Sequence, residues 1–448
     1  MRIQALVLSG LFLVACGDTG DGVKVGGSGT GGGTSGTGAG TGAGGTGAGT
    51  GTGGGGQQQT CFDNDNDGVS TCLGDCNDND PNVRPGGTET LNQIDEDCDG
   101  KVDNHIIGRD FDNDGANYGE TDCNDDEPLV GPYAIEDGMN KVDDNCDGQV
   151  DEAPPTCEGG LTGGTAGDYA KAIGLCGFVT GSNFMAGNAN ARAVRTRFGD
   201  NFTPKAGAQM VLLSTGQARD MIDAATQNPQ PGFEFNTTAP HPLWARPKCG
   251  NPTQPQAEDL TEISFNIQVP QNAKSFSFEF AFFSAEYPEF ICTDYNDRFI
   301  AILESSGLDT TKLPMGQCKT GTTKPTCNIS YDSMGQPVTI NNGFFDVCDS
   351  YMGPNADGVM VSNTCTKPAS LLARTGYDRT PVGSTLKVGG GTGWLRTTAP
   401  VTPGETIKLR FIILDEGDAQ YDSSVLIDNF KWDIQAVTAP VTELPPIN

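Results

Sequence analysis

The sequence predicts a mainly β protein, with a C-terminal antiparallel β-sandwich or jelly roll behind an irregular, cysteine-rich repeat module. Three observations predict it. Apolar residues alternate with period two: Phe276, Phe278, Phe280 and Phe282 are separated by Ser277, Glu279 and Ala281, and Ile407, Leu409, Phe411 and Ile413 repeat the pattern. Val425, Ile427 and Phe430 to Trp432 suggest a further strand, and Asn-, Gly- and Pro-rich turns separate these runs. Finally, the stretch from Cys61 to Glu152 contains one aspartate-dense unit twice, with cysteines and glycines recurring in register with the acids.

A chain of 448 residues is long enough for two or three domains. Its formal net charge is −31, and residues 61–152 hold 27 Asp+Glu against 4 Lys+Arg. Such a field neutralises no phosphates, so nucleic acid is excluded as a partner; it repels anionic lipid head groups, and its natural partners are cations. Only His105 and His241 are available as imidazoles, which argues against a His-rich zinc site and limits Ser-His or Cys-His chemistry to one candidate per domain. Fifteen cysteines point to an oxidising compartment.

In chain order, residues 1–16 read as an export signal. Arg2 supplies the positive end, and Ala5 to Ala15 is apolar but far too short to span a bilayer. Leu13-Val14-Ala15-Cys16-Gly17 resembles a bacterial lipobox. That resemblance implies a lipidated Cys16 at the mature N-terminus, several acyl chains on one residue making a stable membrane anchor. The expected location is the outer membrane or cell surface of a Gram-negative bacterium. Residues 17–60 are a Gly/Thr/Ala-rich flexible tether with an r.m.s. reach of roughly 35 Å. Gly42 to Gly47 matches G-x-G-x-x-G, but no strand precedes it and no helix follows, so it carries no dinucleotide site.

The repeat module divides into 61–107 and 108–153. The units open on Asp63-Asn64-Asp65-Asn66-Asp67-Gly68 and Asp110-Phe111-Asp112-Asn113-Asp114-Gly115. Each continues through Asp-Cys-Asn-Asp, starting at Asp75 and Asp122. Each closes on a second acidic loop, Asp95/Asp97/Asp99/Gly100 with Asp103 after it, and Asp143/Asn145/Asp147/Gly148 with Asp151 after it. Alternate side chains in D-x-D-x-D-G point into one concavity, the glycine permits the sharp turn, and hard oxygen donors of this kind suit Ca²⁺ before other divalent metals. The EF-hand template fails at its twelfth position, which is Gly74 in one unit and Thr121 in the other. These are therefore calcium-type loops outside an EF-hand, closer to thrombospondin type 3 or dockerin loops, and the module reads as disulfide- and calcium-stabilised. The simplest cysteine pairing lies within each unit, Cys76 with Cys98 and Cys123 with Cys146. Cys61 and Cys72 occur only in the first unit and are candidates for each other. With Cys16 lipidated, 14 cysteines remain, which permits complete pairing.

The order of these motifs, with Pro85-Gly86-Gly87-Thr88-Glu89 between them and Asp97-Cys98-Asp99-Gly100-Lys101-Val102-Asp103 at the end, resembles the metal-binding motif repeat of MopE-type bacterial surface proteins. The family name implies copper. The residues here favour calcium instead, because Met and His are scarce and the cysteines look committed to disulfides. His105 lies between the units and reads as a surface residue.

Ala153-Pro154-Pro155 reads as a short hinge to the globular region, 157–438. One helix is expected there, near Gln217 to Ala225. Three segments resemble the choice-of-anchor L domain of bacterial surface proteins: Met210 to Gly216, Phe280 to Phe299 (with Ser284-Ala285-Glu286 and Asn296-Asp297), and Asp418 to Trp432 (with Tyr421-Asp422-Ser423-Ser424). The resemblance implies an extracellular sandwich joined to its own anchor. Glu286, Glu289, Asp294 and Asp297 are expected in one solvated loop, and Asp415, Glu416, Asp418, Asp422 and Asp428 in another, with room for a structural calcium or, less readily, a pair of glycosidase carboxylates. Trp244, Trp394 and Trp432 read as core, and His241 in Pro240-His241-Pro242 as a turn residue. The expected function is non-enzymatic: a lipid-anchored surface binding or adhesion protein with a glycan or cell-surface protein as ligand and the repeats as a calcium-rigidified stalk. The alternative is a calcium or copper sequestration protein, and an extracellular hydrolase comes last.

Overall fold

The period-two runs become long antiparallel strands because alternate side chains on a strand project to opposite faces, and here one face of each run is apolar enough to need cover. The computed structural model describes residues 61–157, 159–223, 235–239, 256–381 and 384–446. Cys16, the tether, His241 and Trp244 lie outside the described residues.

One six-stranded sheet places β5 (Ala257–Gln268) beside β1 (Val179–Ala186) and the short β4 (Thr238–Ala239), and continues through β12 (Thr406–Glu416) and β7 (Arg298–Glu304) to β8 (Thr326–Asn328). The other runs β14 (Val441–Glu443), β11 (Gly390–Pro400), β6 (Ser275–Ser284), β13 (Ser423–Asp433), β3 (Met210–Ser214), β2 (Arg192–Arg195). Every pairing in both sheets is antiparallel. β14 lies beyond the expected boundary at 438 and pairs through Arg396↔Glu443. A two-stranded ribbon, β9 (Tyr351–Pro354) with β10 (Met360–Asn363), stands apart from both sheets.

The main core fills the space between the sheets. Phe276, Phe278, Phe280 and Phe282 of β6 meet Phe299 of β7 and Ile407, Leu409, Phe411 and Ile413 of β12. Phe278 packs edge-on against Phe411 at 4.9 Å between ring centroids, and Phe280 lies 4.8 Å from Phe299. The opposite face of β6 is also covered. Ala281 and Phe283 pack with Phe198, Phe202, Leu372 and Tyr377, so a loop layer gives this sheet a second, smaller core.

Gln217–Asp223 is not helical. Asp220 is fully buried there, and its carboxylate accepts from the Gly199 and Ile222 amides and from Arg195, while the Ala218 amide donates to Asn190. These tertiary hydrogen bonds displace the i→i−4 ladder that local propensity favours. The helix sits instead at α1 (Ala166–Ala172), opened by Thr165, whose side chain accepts from the Asp168 amide. Thr-x-x-Asp is a variant of the capping box, a start signal that the sequence reading did not use.

Six disulfides are formed among the described residues: Cys61–Cys72, Cys76–Cys98 and Cys123–Cys146 in the repeats, then Cys157–Cys176, Cys318–Cys327 and Cys348–Cys365.

The repeats and the sandwich also touch directly, bypassing Ala153-Pro154-Pro155. The Ile135 amide donates to Asn272 Oδ1 at 2.9 Å, Asn272 Nδ2 donates to the Ile135 carbonyl at 2.6 Å, and the Gln271 amide donates to the Tyr133 carbonyl at 3.0 Å. Gln271 Nε2 reaches the Asp114 carbonyl, inside the second acidic loop. Asn272 is buried, so Asn272→Ala leaves the Ile135 amide and carbonyl without their partner, at a cost of about 1–3 kcal/mol. Limited proteolysis at Ala153–Pro155 is expected to accelerate in that variant while the sandwich core stays intact.

Candidate metal centres in the repeat module

The opening loops are built by aspartates that divide their two oxygens between separate tasks. Asp65 Oδ1 accepts from the Asp67 amide at 3.2 Å and Asp67 Oδ1 from the Val69 amide at 2.8 Å. In the second unit Asp112 Oδ1 accepts from Asp114 at 3.0 Å and Asp114 Oδ1 from Ala116 at 2.6 Å. These are Asx turns, in which a carboxylate holds the backbone two residues on. The Oδ2 atoms of Asp65, Asp67, Asp112 and Asp114 are buried and accept no hydrogen bond. Gly68 and Gly115, with φ of 94° and 96°, close the turns in the left-handed region.

The Asp-Cys-Asn-Asp segment completes each loop. Asp75 and Asp122 spend Oδ1 on the amide two residues ahead, at 2.8 Å in both units, and their buried Oδ2 atoms lack partners. The last aspartate of the motif, absent from the expected ligands, is part of the same construction. Asp78 accepts from the Asn64 amide and Asp125 from the Phe111 amide, and Asp125 Oδ2 is buried and unpartnered. Ligand-capable atoms of Asp63, Asp65 and Asp67 lie within 4.8 Å of one another, as do those of Asp110, Asp112 and Asp125. Buried carboxylate oxygens without donors are costly unless a cation faces them, so both loops fit a hard divalent metal. Asp63, Asp65, Asp67, Asp75 and Asp78 would hold it in the first unit, and Asp110, Asp112, Asp114, Asp122 and Asp125 in the second.

The two loops differ at one contact. Arg84 stands 3.7 Å from Asp67 Oδ2 in the first unit. In the second, Gly131 presses against the Asp114 carboxylate so closely that a Cβ would overlap it.

The closing loops are organised by a glutamate that the motif reading also passed over. Glu89 accepts from the Asp97 and Asp103 amides at 2.8 and 3.0 Å, and Glu136 from the Asn145 and Asp151 amides at 2.9 and 3.0 Å. Asp95 spends Oδ2 on the Gly100 amide and keeps a buried, unpartnered Oδ1; donor atoms of Glu89, Asp95 and Asp97 lie within 4.8 Å of one another. In the second unit Asp143 accepts from both the Asp147 and Gly148 amides, and Asn145 from the Asp147 amide. Asp99 accepts from Lys101 and Asn104, and Asp147 from Gln149. Asp103 and Asp151 sit outside these clusters. Asp103 turns back to the Asn92 and Gln93 amides and Asp151 to the Lys141 amide, so both tie turns.

His105 joins the units. Its Nε2 is 3.2 Å from Asp126, its Nδ1 is 3.8 and 3.9 Å from Asp97 and Asp99, and its ring stacks on Tyr118 at 4.9 Å. It is half-buried between the repeats rather than a free surface residue.

Burial pushes the Asp112 carboxyl up to about 6, aided by the charges of Asp114, Asp122 and Asp125 and opposed by the Asp114 amide. Burial also raises Asp65, Asp114 and Asp125. The folded, metal-free module therefore binds more protons than the unfolded chain between the ordinary carboxylate range near about 4 and about 6. In chelator its stability is expected to fall as pH rises through that window. With a saturating cation the order reverses, because protons compete with the metal at low pH. Thermal melts across pH about 4 to about 7, with and without metal, check both signs.

Fold and site together define a two-sheet sandwich with a duplicated acidic module suited to metal, and its family matches mark it as a cell-surface or exported protein. The choice-of-anchor L domain matches residues 176–431, more than half the chain, and the protein belongs to that family. The MopE-type metal-binding motif matches twice, at 75–104 and 122–152, each match starting at Asp-Cys-Asn-Asp, so that the opening loops at 63–68 and 110–115 lie outside and the closing loops inside. No curated protein matches the chain.

Proposed function

We propose that this is a lipid-anchored, non-enzymatic surface binding protein in which calcium stiffens the repeat module beneath an adhesive sandwich. The observation that carries the calcium reading is the set of inward Oδ2 atoms in the opening loops. All are hard oxygens, and the cysteines between them are committed to disulfides. The direct contact of Tyr133 and Ile135 with Gln271 and Asn272 supports a stalk that continues into the sandwich. Cys16 supplies the lipid anchor, at the outer membrane. A glycan or a cell-surface protein is the ligand.

Calorimetric titration of the full chain tests the metal: calcium binding coupled to a rise in melting temperature supports the reading, and preference for copper over calcium overturns it. Cys16→Ser is expected to release the protein from membranes and abolish palmitate labelling. Cell-binding and glycan arrays with the released protein test adhesion.

One observation favours metal sequestration as a second reading. His105, beside Asp97, Asp99 and Asp126, offers an imidazole to a softer cation than calcium. Loss of copper binding in His105→Ala, with calcium binding unchanged, would support it.

A further inference from the structure

The acids expected in solvated loops of the sandwich are mostly buried. Glu286, Asp297, Asp415, Glu416, Asp422 and Asp428 are each at most 2 % exposed. Glu416 is matched by Arg298, whose Nε and Nη2 donate to Oε2 at 3.0 and 2.7 Å. Asp428 is used locally, accepting from the Lys205 and Ala206 amides. The remaining four gather at one end of the sandwich, where the sheets meet. Glu286 follows β6, Asp297 precedes β7, Asp415 is near the end of β12, and Asp422 precedes β13.

They meet around Asp297. Glu286 Oε2 accepts from the Asp297 amide at 3.1 Å, and Asp297 Oδ2 accepts from the Ser423 hydroxyl at 2.6 Å. Asp415 feels the charges of Asp297 and Asp422. Gly216, after β3, presses against the Asp422 carboxylate so tightly that a Cβ could not be placed there. The independent sign of a ligand is Asp415 itself. It has no exposure at all, and both its oxygens lack a hydrogen bond of normal geometry although Thr215 and Asp297 stand beside it. Burial raises Glu286 and Asp415 and pushes Asp297 up to about 8, so these carboxyls resist ionising together without a counter-charge.

We propose that Glu286, Asp297, Asp415 and Asp422 form a separate site for a hard, calcium-sized divalent cation that clamps the two sheets of the sandwich together. The donors are carboxylate oxygens alone, with neither imidazole nor thiol among them, which selects calcium over copper or zinc. The cation supplies the counter-charge that the buried carboxylates otherwise lack. It also joins β6 and β13 of one sheet to β7 and β12 of the other, strands that share no ladder among the described residues.

The test uses the full chain with the repeats disabled by Asp63→Asn, Asp65→Asn, Asp67→Asn, Asp110→Asn, Asp112→Asn and Asp114→Asn in the opening loops and by Asp95→Asn, Asp97→Asn, Asp143→Asn and Asp147→Asn in the closing loops. In calcium, native mass spectrometry should still find an ion on this chain, and chelator should lower its melting temperature. Adding Asp415→Asn should remove that ion. It should also reverse the order of stability: the variant melts above its parent in chelator, where a repelling charge has gone, and below it in calcium. Retention of the ion in the Asp415→Asn variant overturns the proposal. If that variant fails to fold, the repeat-disabled parent decides alone, since a chelator-insensitive melt with no bound ion overturns it. Equal ion counts in the unmutated and the repeat-disabled chain would instead count against the repeat reading and leave this site standing.

Discussion

Chelation is expected to loosen residues 61–152 while the sandwich remains folded, and saturating calcium to raise the module's melting temperature by an amount set by occupancy. A site filled at a thousandfold over its Kd contributes about 4 kcal/mol. The module has little else. Its buried apolar side chains are Val83, Ala116, Val130 and Ala134, too few for a core. The Cys76–Cys98 and Cys123–Cys146 bridges close loops of 22 and 23 residues, each worth about 3 kcal/mol by restricting the unfolded chain. Disulfides hold the ends of the loops together, but they do not offset repulsion among the inward oxygens of Asp65, Asp67 and Asp75, or of Asp112, Asp114, Asp122 and Asp125. Hydrogen exchange at the Asp67, Val69, Asp114 and Ala116 amides reports on each loop, since those amides depend on the aspartates that face the metal. Asp112→Asn with Asp114→Asn should remove the calcium response of the second loop and leave that of the first. Identical exchange in calcium and in chelator would sink the prediction.

Phe411→Ala is expected to cost about 3–5 kcal/mol, enough to unfold a marginal domain near body temperature. Phe411 projects from the middle of β12 and is 1 % exposed. Its ring lies 4.9 Å from Phe278, 6.3 Å from Phe299 and 6.3 Å from Phe265, so truncation leaves a void lined by three rings from both sheets. Long strands on either side cannot collapse into it without breaking register with β5 and β7. Phe411→Leu keeps most of the volume and should cost about a third as much. Denaturant melts of the two variants separate cavity cost from lost ring contacts, and a near-neutral Phe411→Ala would show that this core is looser than its packing implies.

Much of the sandwich is legible in its strands. Phe276 to Phe282 and Ile407 to Ile413 alternate as β6 and β12 require, because one buried face imposes period two. The second burial layer is not legible there. Phe283 and Leu426 read as ordinary strand residues, and only the loop layer around Phe198 and Tyr377 makes them core. In the repeats, the D-x-D-x-D-G aspartates are visible because local turn geometry alone converges them. Asp78 and Asp125, and Glu89 and Glu136, were within reach too, since they occupy matching places in both units. Their work on backbone amides is not part of a ligand spacing rule.

The amino-acid order by itself determined what local stereochemistry can impose: the Asx turns and their glycines, the cysteine positions within each repeat, and the alternation that demands a covered sheet face. It also carried the signs of export and of the two families the chain resembles. Tertiary structure alone decided which carboxylates share a space. Glu286, Asp297, Asp415 and Asp422 are scattered along the chain and look like solvated loop acids, until the register of β6 with β13 and of β7 with β12 brings their ends together. The contact of Ile135 with Asn272 is of the same kind, joining residues 137 positions apart across what reads as a hinge. Side-chain spacing in sequence encodes contacts within a turn or a strand; contacts between strand ends and between modules depend on sheet order and docking, which are fixed only when the whole core packs.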